Sequence, residues 1–94
     1  MKEKIKELKP KYGSTIPREL EQGVLYISKE HGTAIHLCPC GCGNQAVISL
    51  YPVFKDGWRL TDDGNKVSVT PSILNKACGS HYFIEDNKII WESR

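Results

Sequence analysis

Four cysteines and three histidines carry most of the coordination and redox chemistry available to this 94-residue chain. Three of the cysteines alternate in His36-Leu37-Cys38-Pro39-Cys40-Gly41-Cys42-Gly43-Asn44, and the fourth opens Cys78-Gly79-Ser80-His81. Clustered thiols of this kind can bind a metal, form a disulfide or act as a reactive centre. If residues 33–38 are extended, Ala34, His36 and Cys38 share one face, and Cys40 continues on that side. Pro39 removes a backbone donor, whereas Gly41 and Gly43 let the chain curl and aim amide hydrogens at sulfur, which stabilises thiolates. Cys78-x-x-His81 has the spacing by which one turn presents two ligands to a tetrahedral metal.

The two segments together offer Cys38, Cys40, Cys42, Cys78 and His81 as metal ligands, with His36 as a sixth candidate, where a structural zinc needs four. Spacing does not select among them. The preferred set is Cys₃His, with two of the three clustered cysteines joined by Cys78 and His81 and the spare cysteine beside them. A disulfide fits alternate cysteines poorly. An iron–sulfur centre of the Rieske kind would need Cys-x-His where this chain has Cys38-x-Cys40. Catalytic zinc is not expected either, because the chain has no H-E-x-x-H and no H-x-E followed by P-C-x-x-C. A thiol enzyme would have to use the spare cysteine, with His36 or His81 as its base. His31 precedes a glycine in a turn signal and reads as exposed. His36 reads as a hydrogen-bonded strand residue.

Thirteen Lys and Arg against eleven Asp and Glu give a net charge of +2, which argues against nucleic acid and anionic membranes as partners. The basic excess is concentrated in residues 2–11. No apolar run approaches a membrane span, and the N-terminal residues lack the apolar stretch of a secretory signal, so the expected location is cytoplasmic. Thiols there stay reduced, which again favours metal over disulfides.

These residues must be positioned by short strands. Residues 2–9 stop at Pro10 and predict little fixed structure, while STIPRELEQG (14–23) has caps for a two-turn helix. Strands are expected at VLYIS (24–28), TAIHLC (33–38), AVISLY (46–51), WRL (58–60), KVSVT (66–70), HYFIE (81–85) and KIIWE (88–92). His31-Gly32, Asp63-Gly64 and Asp86-Asn87 supply tight turns between them. TPSILNKA (70–77), with Thr70 as cap and Pro71 in the first turn, reads as a second short helix. Trp58, Trp91, Tyr51, Tyr82 and Phe83 are expected in the core. The fold class is therefore mainly β, a small α+β arrangement of antiparallel hairpins with one or two short helices, cross-linked by a structural metal site. A basic segment with a short helix (1–23) would precede a zinc-stapled β domain (24–94).

"GTAIHLCPCGCG" (32–43), "TPSI" (70–73), "CGSHYFI" (78–84) and "IIW" (89–91) resemble, in content and order, a small bacterial cysteine-rich domain-of-unknown-function family. Its members are found in operons with ubiquitin-like modifiers and with proteins similar to ubiquitin-activating and ubiquitin-conjugating enzymes. The resemblance implies metal positions at Cys38, Cys40, Cys42, Cys78 and His81. It also implies protein partners, either the modifier or its conjugation enzymes. The expected function is a Zn²⁺-binding adaptor or protein-interaction module accessory to such a system, rather than an enzyme. The alternatives are a thiol, redox or iron–sulfur protein using the CxCxC cluster, and a zinc domain that binds single-stranded nucleic acid through aromatics near Lys55 and Arg59.

Overall fold

The computed structural model describes residues 6–63, 65–75 and 78–91. The first lysines of the basic segment, Gly64 of one expected turn, the last two positions of the expected 70–77 helix and Glu92 of the expected last strand lie outside that range.

Eight strands follow one another: β1 (Lys9–Tyr12), β2 (Val24–Ser28), β3 (Thr33–Leu37), β4 (Gln45–Ser49), β5 (Arg59–Asp63), β6 (Lys66–Asn75), β7 (Ser80–Glu85) and β8 (Lys88–Trp91). They form two four-stranded sheets, ordered β1-β2-β3-β4 and β5-β6-β7-β8. All neighbours are antiparallel except β1 and β2, which run parallel. Both margins are tied across the sheets. Leu8 N–H donates to Asn87 O at 2.7 Å and Ile89 N–H to Lys6 O at 2.8 Å, so the residues before β1 join β8. On the other side Trp58 N–H donates to Ser49 O at 2.8 Å and Tyr51 N–H to Trp58 O at 2.9 Å. The result approaches a closed barrel, which leaves few free strand edges.

Period-2 burial explains the strands. Ala34, His36 and Cys38 are buried along β3 and just beyond it, and Ala46 and Ile48 along β4, while Gln45 and Val47 face out. The core draws Leu25, Ile27, Ala34 and Ile48 from one sheet and Val67, Val69, Ile73, Tyr82, Ile84 and Ile89 from the other, with Leu8 between. Each large side chain so buried contributes about 1.5–3 kcal/mol. Asp86 and Asn87, both at positive φ, turn the β7–β8 hairpin as expected.

Three sequence expectations change. The 14–23 helix is absent, and that stretch is instead the crossover between parallel β1 and β2. It is held by bonds to other elements: Glu21 N–H to Tyr26 Oη at 3.0 Å, Gln22 Nε2 to Cys38 O at 3.1 Å and Ser28 Oγ to Ser14 O at 3.4 Å. A two-turn helix is too short to outweigh them. TPSILNKA is also not helical where described, because residues 70–75 continue β6. Ile73 and Asn75 are buried and Leu74 exposed, the alternation of a strand, and β7 supplies the ladder. The helix signal at Pro71 was misleading, since the missing amide falls where the ladder is interrupted between Val69 and Ile73. Finally, residues 9–12 are ordered as β1, with Pro10 tolerated on an edge strand. Among the expected core aromatics, Tyr82 is fully buried and Trp58 and Trp91 pack on the core, whereas Tyr51 is exposed with the Arg59 guanidinium 4.3 Å from its ring centroid.

His36 is fully buried, and its Nε2 lies 2.7 Å from Tyr82 Oη. Burial lowers its pKa to about 4 and raises that of Tyr82, so both stay neutral and share a single hydrogen bond. Among the described residues His36 Nδ1 already has no partner. Tyr82→Phe, which would leave both ring nitrogens unsatisfied, should therefore destabilise the fold by about 1–3 kcal/mol, read as a lower urea midpoint with an unchanged slope.

Candidate functional site

Two loops at one end of the barrel bring the cysteines together. The first leaves β3 at Cys38 and is closed by Cys38 N–H to Asn44 O at 2.8 Å and Gly41 N–H to Cys38 O at 3.1 Å. Gly41 and Gly43, at φ of 89° and 88°, make the curl that L-residues resist. The second loop joins β6 to β7, with Asn75 O accepting from Cys78 N–H at 3.3 Å and Gly79 N–H at 2.7 Å.

The four sulfurs lie within 4.8 Å of one another. Cys38 Sγ is 3.4 Å from Cys40 Sγ and 3.5 Å from Cys78 Sγ, and Cys40 and Cys78 are 3.6 Å apart. A disulfide would need about 2.05 Å, and all four are free thiols. Four thiolates about 2.3 Å from one tetrahedral ion sit roughly 3.8 Å from each other, so the cluster has the dimensions of a single-metal site. Its surroundings fit as well. The Ser80 hydroxyl lowers the pKa of Cys40 and of Cys78, whose Sγ it meets at 3.1 Å, and the Asn44 backbone amide lowers that of Cys42. Asn44 Nδ2 also donates to Cys42 Sγ at 3.3 Å. Burial first, and then the neighbouring Cys40 and Cys78 thiols, push Cys38 up to about 12. A cation beside it is what would let it ionise.

The sequence preference for a Cys₃His set meets a different arrangement. The fourth position in the cluster is filled by sulfur, and His81 is engaged elsewhere: its Nε2 lies 2.7 Å from Ser72 Oγ. His36 likewise faces Tyr82, and His31 Nδ1 lies 3.0 Å from Ser28 Oγ.

The sequence does not anticipate the Ser72–His81 pair, because its local signals place Ser72 inside a helix. Its origin is the β6–β7 register. Leu74 pairs with His81, so Ser72 and His81 are diagonal neighbours on one face, both half-buried. Ser72 sits where the register shifts between Val69 and Ile73, and such bulges re-aim side chains. Its carbonyl accepts a hydrogen bond from Trp58 Nε1–H at 3.2 Å, and the His81 ring is stacked on Phe83 with centroids 6.5 Å apart. In the tautomer with Nε2 bare, Ser72 Oγ–H donates to it, the geometry of a hydroxyl nucleophile and its base. Pairing a Ser and a His on neighbouring strands by hairpin register is the signal that would have found them.

No curated protein and no solved structure matches the chain. A family model does, over residues 12–92, a span that takes in both the cysteine cluster and the Ser72–His81 pair. By that match the chain belongs to the family described as bacterial ubiquitination-like system serine protease (BubE).

Proposed function

We propose that this protein is a serine peptidase acting within a bacterial ubiquitination-like system, with Ser72 as nucleophile and His81 as general base and then acid. The observation that carries the reading is the 2.7 Å contact between Ser72 Oγ and His81 Nε2, in a chain whose family is described as a serine protease. His81 Nε2 takes the hydroxyl proton as Oγ attacks the carbonyl carbon of the cleaved bond. The same Nε2–H then protonates the departing amine, leaving an acyl group on Ser72. Water, deprotonated at Nε2, releases the acid and restores both residues. The proteins it meets are the modifier or modifier-linked proteins of that system.

Cys38, Cys40, Cys42 and Cys78 would hold one zinc ion, which supplies a structural cross-link and takes no part in the bond-breaking step. Close-packed sulfurs favour a single ion over an iron–sulfur cluster, whose several irons would spread the cysteines apart. Cys78 and His81 flank Gly79-Ser80, so the ion would fix the start of β7 and with it the base.

The direct test is labelling by a fluorophosphonate. Wild-type protein should be modified at Ser72, located by mass spectrometry, and His81→Ala should lose the modification. The adaptor role expected from sequence needs no reactive serine. Unlabelled protein that still captures the modifier would support it instead.

Trp58 acts through Ser72 as a positioning residue. Trp58→Phe keeps an aromatic ring but removes the donor to Ser72 O. It should lower kcat about tenfold with little change in KM, while a purely structural role would lower only the amount of folded protein.

A further inference from the structure

We infer that the substrate of Ser72 is an extended peptide segment, bound as an added β-strand in the groove between the free edge of β4 and the end of β6. This rests on the peptidase reading above. A groove of about 150 Å³ is walled by Gln45, Ala46, Val47 and Ile48 on one side and Ile73, Leu74 and Asn75 on the other, with Trp58 between them.

Backbone alternation shows which groups face it. Leu50 N–H bonds Gly32 O and Cys38 N–H bonds Asn44 O, so the even-numbered residues of β4, Ala46 and Ile48, direct their amides and carbonyls at β3. Gln45, Val47 and Ser49 therefore direct theirs the other way. Ser49 confirms this, since its carbonyl accepts from Trp58 N–H on that outer side. β4 ends its sheet, so the outward groups of Gln45 and Val47 meet no strand among the described residues. Across the groove, the β5–β6 ladder stops at Arg59 and Thr70. The Ser72 carbonyl points away from β7 toward Trp58, and two residues on, Leu74 faces the same way.

Two strand edges with unused hydrogen-bonding groups thus face one groove, and Ser72 lies on the strand that forms its second wall. The free edge of β1 is guarded by Lys9, Pro10 and Lys11, whereas β4, Gln-Ala-Val-Ile-Ser, carries no lysine or proline. Its rim is apolar, with Val47 62% and Leu74 49% exposed. The unguarded edge is the one that faces β6, the strand that carries Ser72. A strand laid along residues 45–48 would span roughly 13 Å, or about four residues, and only a flexible tail or linker can enter in that form. Aliphatic side chains at alternate positions match Val47 and Leu74.

The test uses the full chain and internally quenched Ala/Val peptides of two to eight residues, with diisopropyl fluorophosphate labelling of Ser72 as the measure of the dyad alone. Hydrolysis, as kcat/KM, should climb until about four residues occupy one side of the bond. Val47→Pro removes an amide hydrogen that faces the groove and none that bonds β3. It should lower kcat/KM on the eight-residue peptide by about tenfold. N-methylation of successive amides in that peptide repeats the test without altering the protein, and the losses should alternate with a two-residue period. Equal rates on two- and eight-residue peptides, or losses without alternation, overturn the added strand, while labelled Ser72 keeps the peptidase reading. Unlabelled Ser72 in the unaltered chain overturns both.

Discussion

Ser72→Ala is expected to lower the proposed peptide hydrolysis on the order of 10⁴-fold or more and to leave the fold intact. The magnitude follows from what the hydroxyl does: without Oγ no acyl intermediate forms, and only binding of the peptide and its surroundings remains. The structure predicts little cost in stability, because Ser72 is half-buried on the outer face of β6 and its carbonyl, not its side chain, holds the Trp58 indole. Circular dichroism and the urea midpoint should match wild type. His81→Ala should lose a similar factor, and the double variant should lose no more than either single one, since the two residues act as a unit. Additive losses would show that Ser72 and His81 do not work together, and retained hydrolysis in Ser72→Ala would remove the nucleophile assigned here.

Stripping the proposed zinc, or replacing Cys78 by serine, is expected to unfold the barrel, including the end that carries the dyad. Structural zinc in small domains is worth roughly 10–16 kcal/mol at neutral pH, against a typical total stability of about 5–15 kcal/mol. Removal is therefore expected to abolish cooperative folding rather than weaken it. The purified chain should hold one equivalent of zinc and be colourless. A chelator should release it with loss of the native dichroism, and added zinc should restore both. Among the four cysteines, Cys78→Ser should be the most damaging substitution for activity, because it frees the turn that starts β7 only three positions before His81. Less than half an equivalent of bound metal, or an unchanged melt after chelation, would defeat the cross-link. Acid should act in the same direction as the chelator, since protons compete with the metal for the thiolates.

Several features were legible in the residues alone. VLYIS reads as a strand and is one at the same boundaries, and the Asp86-Asn87 hairpin forms where the dipeptide predicts it. The two-residue period of TAIHLC places Ala34, His36 and Cys38 on one face, and the fold buries all three. The joining of the CxCxC loop to Cys78 was also legible, because clustered thiols in a short chain need partners. The expected helices over 14–23 and 70–77 fail to form, where described, for a common reason. Capping residues and early prolines are local signals, whereas both segments take their hydrogen bonds from elsewhere in the fold, the first from β2 and the loop that leaves β3 and the second from β7.

Sequence by itself determined the mainly β character and the inward face of β3. It also determined the set of thiols from which a metal site could be drawn, since these follow from residue type and short-range alternation. Only the tertiary structure decided that four sulfurs, without His81, form the cluster and that His81 meets Ser72. Those contacts depend on the register between β6 and β7, on a bulge within β6, and on the loop that folds Cys38, Cys40 and Cys42 over Cys78. A one-residue slip in that register would turn His81 to the other face and separate it from Ser72, and no local pattern of residues fixes a long-range pairing that closely.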